Sequence, residues 1–192
     1  FRLIQSGDTE GIGMLDSDGL RYLLPRLRPA SIENLAAANT LYTLAIERGD
    51  LMEQYLQRAG EAQFPGSDSP DILEALAEPR GLILYQEQIM MLLDRIGGIC
   101  PADGFDFFKA VFKKKAAAVA EYREKFLRTA VGNNTDKETA EGLSDQIIEA
   151  AGYSVCKANC VAEAVRLYQA AYLKSHYGLE FEKALEQVRA RD

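Results

Sequence analysis

The sequence predicts an all-α fold: a multi-helix body, resembling no layered sheet architecture, behind an irregular N-terminal lead-in. Three observations predict it. Apolar residues recur at three- and four-residue spacing through most of the 192-residue chain, the spacing that lines one face of a helix. The periodic stretches are punctuated by helix stops, at Gly49, Gly97-Gly98, Gly132-Asn133-Asn134 and Gly152, with capping residues ahead of several starts. No segment sustains strand alternation; residues 81–84 come nearest and are too few to build a sheet.

Residues 1–30 form the lead-in, punctuated by Gly7, Gly11, Gly13 and Gly19. Ser6-Gly7-Asp8-Thr9 is a turn signal, with Asp8 or Thr9 placed to cap a short helix. Asp18 is placed to cap another over 19–27, which Arg28-Pro29 ends. Residues 31–192 read as one helical body. Its one plausible seam is the loop Phe64-Pro65-Gly66-Ser67-Asp68-Ser69-Pro70. Ser31 with Asn34 is an imperfect capping box. Leu35, Ala36, Ala38, Leu41, Tyr42, Ala45 and Ile46 then recur at helical spacing. Further helices are expected over 50–59 behind Asp50, over 71–76 and over 82–97. A turn at Pro101-Ala102-Asp103-Gly104 precedes helices over 105–112 and 116–130, then one capped by Thr135 and reaching 151, then 157–175 and 180–189.

The 82–97 helix carries the stretch that organises the chain, Gly81-Leu82-Ile83-Leu84-Tyr85-Gln86-Glu87-Gln88-Ile89-Met90-Met91. Gln86, Glu87 and Gln88 read as a hydrophilic island inside an apolar helix. Burying such groups is costly unless each finds a partner. The island is therefore expected either to face a cleft or to brace neighbouring elements.

Hydrophobic content of 47% and charged content of 27% are ordinary for a globular chain, and no apolar run reaches the length of a membrane span. Phe1-Arg2-Leu3-Ile4 lacks an initiator Met and a signal-peptide layout, so the expectation is a piece of a longer chain or a processed product. The 3 cysteines, Cys100, Cys156 and Cys160, form no pair framework. They point to a reducing, cytoplasmic setting and to small buried residues without metal; zinc is the weaker reading, since no close CxxC spacing occurs. The net charge of -7 opposes nucleic-acid binding when taken as a total. Its distribution matters more: Lys109, Lys113, Lys114, Lys115, Arg123, Lys125 and Arg128 gather in one segment, while acidic residues dominate 61–80 and 136–149.

No GxGxxG or GKS/T phosphate loop occurs. The lone histidine, His176, lies near a helix C-terminus and suits packing there rather than a nucleophile–base pair. Asp16-Ser17-Asp18 has metal-ligand spacing, but its Gly-flanked turn favours capping. Lys109 and Lys113 share a helix face, and Lys113-Lys114-Lys115 fans out at a junction. Such a cluster suits a triphosphate or a nucleic-acid backbone, although a solvated lysine patch is the commoner fate of a charge run. Lys157 opens a helix whose N-terminal amides could help to bind an anion.

The order of motifs resembles the fingers domain of the bacterial DNA polymerase III alpha subunit, a C-family replicative polymerase. Gly81 to Met90 is similar to that family's Y-Q-E-Q-Met segment. Thr9-Glu10-Gly11-Ile12-Gly13 through Gly19-Leu20 and Arg28-Pro29 through Ala36-Ala37 are similar to its opening motifs. Phe108-Lys109-Ala110-Val111-Phe112-Lys113-Lys114 stands where the family has R-R-A-M-G-K-K, and Ala151-Gly152-Tyr153-Ser154-Val155-Cys156-Lys157 where it has A-G-Y-G-F-N-K. Tyr168-Gln169-Ala170-Ala171-Tyr172-Leu173-Lys174-Ser175-His176-Tyr177 with Glu180-Phe181 is similar to its close.

The resemblance implies an all-helical module that closes over the incoming deoxynucleoside triphosphate (dNTP) and touches template DNA. It implies a palm upstream, whose carboxylates hold two magnesium ions. This chain would then bind no cofactor or metal itself, contain no catalytic residue and make no DNA alone. Its partners would be DNA, dNTP, the palm and other replisome subunits, with no membrane. Lys109, Lys113, Lys114 and Lys157 would bind phosphates, and Tyr85, Gln86, Glu87 and Gln88 would be the structural signature that braces the module. The family's R-P-G-P is absent, with Leu41-Tyr42-Thr43-Leu44-Ala45-Ile46-Glu47 in its place. Phe108 and Lys109 replace an Arg pair and Phe112 a Gly. Cys156, Ala158 and Asn159 depart around Lys157, and Glu163 stands at a Tyr position. These departures fit a diverged fingers module, or a non-catalytic descendant that binds DNA or a replication partner.

Overall fold

A computed structural model describes residues 1–45, 49–58 and 69–191. In chain order the helices are α1 (Arg2–Ser6), α2 (Asp18–Leu27), α3 (Ile32–Ala45), α4 (Gly49–Gln57), α5 (Pro70–Leu76), α6 (Gln86–Arg95), α7 (Pro101–Phe112), α8 (Ala116–Gly132), α9 (Lys137–Ala150), α10 (Lys157–His176) and α11 (Gly178–Arg189), with a 3-10 turn at Gly13–Asp16. Among the described residues there is no strand, only an isolated parallel bridge between Tyr85 and Val155. The all-α expectation holds. Of the expected elements, residues 64–68 of the loop, Ile46, Glu47 and Ala59 lie outside the described residues. No described helix is long and apolar enough to cross a membrane. The chain divides into two compact units, Phe1–Leu56 with Ala158–Asp192, and Gln57–Lys157.

The first unit contains more order than an irregular lead-in. Gly7 ends α1 at φ 77, and a Cβ there would sit 2.5 Å from the Arg21 carbonyl oxygen. Only glycine suits that turn. Thr9 caps no helix; its buried hydroxyl donates to the carbonyls of Gly7 and Leu15 and so holds the loop around the 3-10 turn. Asp18 is the first residue of α2, and Ser17 makes no side-chain cap bond. Arg28 ends that helix in the left-handed region, at φ 47. At α3, the Asn34 amide donates to Ser31 Oγ at 3.1 Å and Asn34 Oδ1 accepts from the Ala30 amide at 3.4 Å, a displaced capping box. Ile4, Ile12, Leu15, Leu24, Leu35 and Leu167 form the core of this unit. Lys174 Nζ ties the lead-in to α10, donating to Asp8 Oδ1 at 2.9 Å and to the Glu10 carbonyl at 3.2 Å.

The second unit packs α5 to α9 around Ile72, Leu76, Ile89, Leu92, Phe107 and Phe126. Tyr122 meets the Phe107 ring edge-on at 5.7 Å. Gly97 lets Phe126 approach, since a Cβ there would lie 2.3 Å from its ring. Two helix starts differ from expectation. Pro101 opens α7, so residues 101–104 are its first turn rather than a separate one; the missing proline N–H is one that the first turn leaves unpaired in any case. Asp136, not Thr135, caps α9, accepting from the Thr139 amide at 3.0 Å.

The largest difference lies at the polar triplet. The expected 82–97 helix begins only at Gln86. Leu82, Ile83, Leu84 and Tyr85 precede it and are buried. The Gln86 amide donates to the Val155 carbonyl at 2.9 Å, and the Val155 amide donates to the Leu84 carbonyl at 3.1 Å. Gln86, Glu87 and Gln88 are therefore a helix first turn, not a mid-helix island. Gln88 is 7% exposed. Its Oε1 accepts from the Leu84 and Tyr85 amides, both at 2.9 Å, and its Nε2 donates to the carbonyls of Ala75 at 2.8 Å and Leu82 at 3.0 Å. Both acceptor and both donor positions of the carboxamide are used.

Gln88→Leu keeps most of the volume and removes all four bonds. It is expected to destabilise the second unit by about 3 kcal/mol or more, because buried backbone groups lose their partners. Gln86→Leu, which loses one 3.3 Å bond to the Ser154 carbonyl, is expected to cost about 1 kcal/mol or less. Amide hydrogen exchange at Leu84 and Tyr85 separates the two; equal protection in both variants would remove the bracing role of Gln88.

Candidate functional site

The second unit carries an apolar groove of about 580 Å³ between α6 and α7. Phenylalanines spaced three and four apart place Phe105, Phe108 and Phe112 on one face of α7, and all three line the groove with Met90 of α6. Phe107, one residue off that face, turns into the core. Gly104 lets the helices close, since a Cβ there would lie 2.8 Å from Met90 Sδ. Phe108 is buried, whereas Phe105 is 66% and Phe112 63% exposed. Gln86, Glu87, Lys109, Lys113 and Cys156 supply the remaining lining.

Where α7 ends, the backbone turns sharply. The Lys114 amide donates to the Val111 carbonyl and the Lys115 amide to the Ala110 carbonyl, both at 2.9 Å, with Lys114 at φ 52. This turn carries three consecutive exposed lysines, of which Lys113 also lines the groove. Neighbouring cations are answered by carboxylates: Arg123 by Asp145 at 3.0 Å, Lys125 by Asp103 at 3.4 Å and Arg128 by Glu124 at 4.0 Å. Among the described residues, Lys113, Lys114 and Lys115 have no such partner.

The four lysines expected to meet phosphate thus differ in state. Lys109 and Lys113 line the same groove. Lys109 Nζ is held by Asp106 Oδ1 at 2.9 Å. That hydrogen bond and the opposite charges hold the Asp106 carboxyl below its ordinary range and raise the Lys109 ammonium. Lys157 Nζ is paired with Glu78 and lies 5.7 Å from the centre of the Tyr85 ring. Lys113 and Lys114 carry the unanswered charge. The anion at the start of α10 is the chain's own Glu87: its Oε2 accepts from the Lys157 amide at 2.8 Å, and its Oε1 accepts from Cys156 Sγ at 3.4 Å. Of the signature residues, Tyr85 and Gln88 are buried, and Gln86 and Glu87 face the groove.

No group of three or more His, Cys, Asp and Glu side chains gathers as a metal site among the described residues. The cysteines are free; Cys100 is exposed and Cys156 and Cys160 are half-buried, against the expectation that all three are buried. Cys100 sits at the N-cap of α7 and Cys156 just ahead of α10, positions that face outward. His176 stacks on Tyr172 at 4.0 Å, a packing role at the end of α10. Sequence reading missed the aromatic groove. Its signal was present in the spacing of Phe105, Phe108 and Phe112, of which only the last two stood out, as departures from a family pattern.

The sequence model of the bacterial DNA polymerase III alpha subunit finger domain matches residues 1–134. The chain is 33% identical over 181 residues to the DNA polymerase III subunit alpha of Aquifex aeolicus, covering 94% of this chain and 16% of that protein. It is 34% identical to the Bacillus subtilis protein of the same name, with 94% and 16% covered, and 33% identical to that of Helicobacter pylori, with 96% and 15% covered. The chain therefore spans about 16% of the length of the relatives it matches.

The Asp106–Lys109 pair gives a pH signature. The lowered Asp106 carboxyl means that the contact is fully present above the ordinary aspartate range and is lost as pH falls through the lowered folded value. NMR titration of the Asp106 carboxyl is expected to give a midpoint below the ordinary ~3.9, returning toward it in Lys109→Met. Equal midpoints in the two proteins would show that Lys109 is not held by Asp106 in solution.

Proposed function

Since the chain belongs to the bacterial DNA polymerase III alpha subunit finger-domain family, we propose that it is the fingers module of a replicative DNA polymerase, binding the incoming dNTP and the template–primer. The observation that carries the binding part is the run of unanswered lysines, Lys113, Lys114 and Lys115, of which Lys113 lines the apolar groove. A phosphate approaching these three meets positive charge with no carboxylate to displace. Local charge of this kind attracts a polyanion even in a chain of net charge -7. At Lys109 and Lys157 a phosphate would first have to displace Asp106 or Glu78. Those two lysines therefore bind conditionally, and Lys109 lacks the two-pronged fork of the arginine its family position carries.

The described residues do not fit a magnesium pair, since they gather no group of three ligating side chains. In this reading the magnesium ions and the catalytic carboxylates belong to a palm, and this chain contributes positioning and charge rather than bond making. Palm and replisome subunits are then its protein partners, in a cytoplasmic setting. A second reading is favoured by Phe108 and Phe112, which stand where the family has Arg and Gly: a diverged fingers-like domain that binds DNA or a replication partner without serving synthesis.

Fluorescence anisotropy with a labelled primer–template tests the charge. Lys113→Ala/Lys114→Ala/Lys115→Ala is expected to weaken binding by about tenfold or more at low salt and to flatten the slope of log affinity against log salt by up to about 3. Unchanged affinity and slope would remove the phosphate-binding role of this turn. In primer extension with magnesium and all four triphosphates, the 192-residue chain alone is expected to give no product; extended primer would overturn the assignment of catalysis to a palm.

A further inference from the structure

The first unit holds a cavity of its own, of about 420 Å³, between the start of α1 and the last turns of α10. Phe1, Leu3 and Tyr168 pack against the core of that unit and Ala171 belongs to it, so the floor of the cavity is apolar. The Phe1 and Tyr168 rings meet at 4.8 Å, and the stacked rings of Tyr172 and His176 line the cavity toward the end of α10. Arg2 and Ser175 complete the lining, and both are exposed. No carboxylate lines it, in a chain of net charge -7. Elsewhere in the unit Arg21, Arg166, Lys174 and Arg189 are each paired with a carboxylate. Arg2 pairs with none among the described residues.

An unanswered guanidinium beside aromatic walls suits a ligand that carries one carboxylate on an apolar body. The planar fork of an arginine matches a carboxylate with two parallel hydrogen bonds. A nucleic-acid strand presents a row of phosphates and needs a track of cations, whereas one arginine and no lysine line this cavity. The same end of α10 also exposes Leu173 and Tyr177, and Leu179 is exposed in the first turn of α11. A small free acid would occupy the cavity and leave these side chains in water. A peptide can anchor one acidic side chain and cover them with its neighbours. We propose that the cavity is a docking site for an acidic segment of a partner protein, with an Asp or Glu carboxylate on Arg2 and an adjoining apolar side chain against Tyr168 and Tyr172. The site lies wholly within the first unit and is independent of the groove and the lysine turn of the second.

The test pans random displayed peptides of about seven residues against the 192-residue chain, then measures the enriched peptide by fluorescence anisotropy. The expected enrichment is an Asp or Glu next to an aromatic or aliphatic residue. The enriched peptide is expected to bind Arg2→Ala, and its own Asn or Gln form to bind the wild type, about tenfold more weakly. Arg2→Lys keeps the charge but not the fork and is expected to lose about half of that on a logarithmic scale. Ser175→Trp, which fills the cavity from an exposed position, is expected to abolish binding. Thermal melting by circular dichroism shows that each variant is folded, and Arg2→Lys serves if Ser175→Trp is not. No enrichment, enrichment without an acidic residue, or equal affinity for wild type and Arg2→Ala overturns the proposal. Phenylacetate that displaces the peptide at equal or lower concentration assigns the cavity to a free acid, and oligothymidylate that does so assigns it to phosphate; either result overturns docking of a protein segment.

Discussion

The second unit depends on one buried carboxamide. Gln88 reaches back from the first turn of α6 to the amides of Leu84 and Tyr85 and across to the carbonyls of Leu82 and Ala75. Without it, a buried extended segment would leave polar backbone groups in an apolar core, where each unmet group costs about 1–3 kcal/mol. With it, residues 82–85 stay extended, α5 is held beside them, and Val155 can pair with Leu84 and Gln86. Every later feature of the unit inherits this geometry. Because α6 starts at Gln86, Gln86 and Glu87 emerge at the groove rim, and Glu87 reaches the amide of Lys157.

Charge in this unit is arranged by neutralisation. Arg95 is answered by Asp71 and Glu74, Arg123 by Asp145, Lys125 by Asp103 and Lys109 by Asp106. Such exposed pairs each add little stability. Their combined effect is to narrow a long basic segment to one turn, at 113–115. The left-handed Lys114 backbone places these like charges together. The turn at the end of α7 therefore holds exposed positive charge that no described carboxylate answers.

Much of the fold was legible because periodicity and punctuation are local. Apart from the starts of α6 and α7, the helices from α3 to α11 fall close to their expected spans wherever residues are described, and Gly97 and Asp136 act within a turn or two of the positions that sequence marks. The errors arose where a distant partner decides. Leu82, Ile83 and Leu84 continue the apolar pattern of α6, so spacing alone merges them into the helix. What makes them extended is Val155, about seventy residues on, together with a glutamine whose bonds no local pattern reveals. Lys157 is a second case: its position at a helix start was readable, but its pairing with Glu78 and the occupation of its amide by Glu87 were not. The cysteines were expected inside on composition, whereas Cys100 at the N-cap of α7 is exposed and Cys156 and Cys160 are half-buried, Cys160 against the core of the first unit.

The departures from the family pattern and the groove have a common physical basis. On the sequence resemblance, Phe108 and Phe112 of the α7 face stand where the family carries Arg and Gly. An arginine there would offer a charged fork toward a phosphate, and a glycine would leave the helix surface open. Phenylalanine at both sites leaves this face apolar, with Phe108 buried and Phe112 exposed. Lys113 and Lys114 stand at the lysine pair of that motif. Tyr85, Gln86, Glu87 and Gln88 resemble the family's segment; of the departures, Phe108, Lys109, Phe112 and Cys156 line the groove, whereas Ala158, Asn159 and Glu163 do not. A fold held by backbone-directed bonds can tolerate such exchange, because none of the bonds made by Gln88 passes through the exposed face of α7. The brace and the outer face of α7 therefore rest on separate sets of contacts.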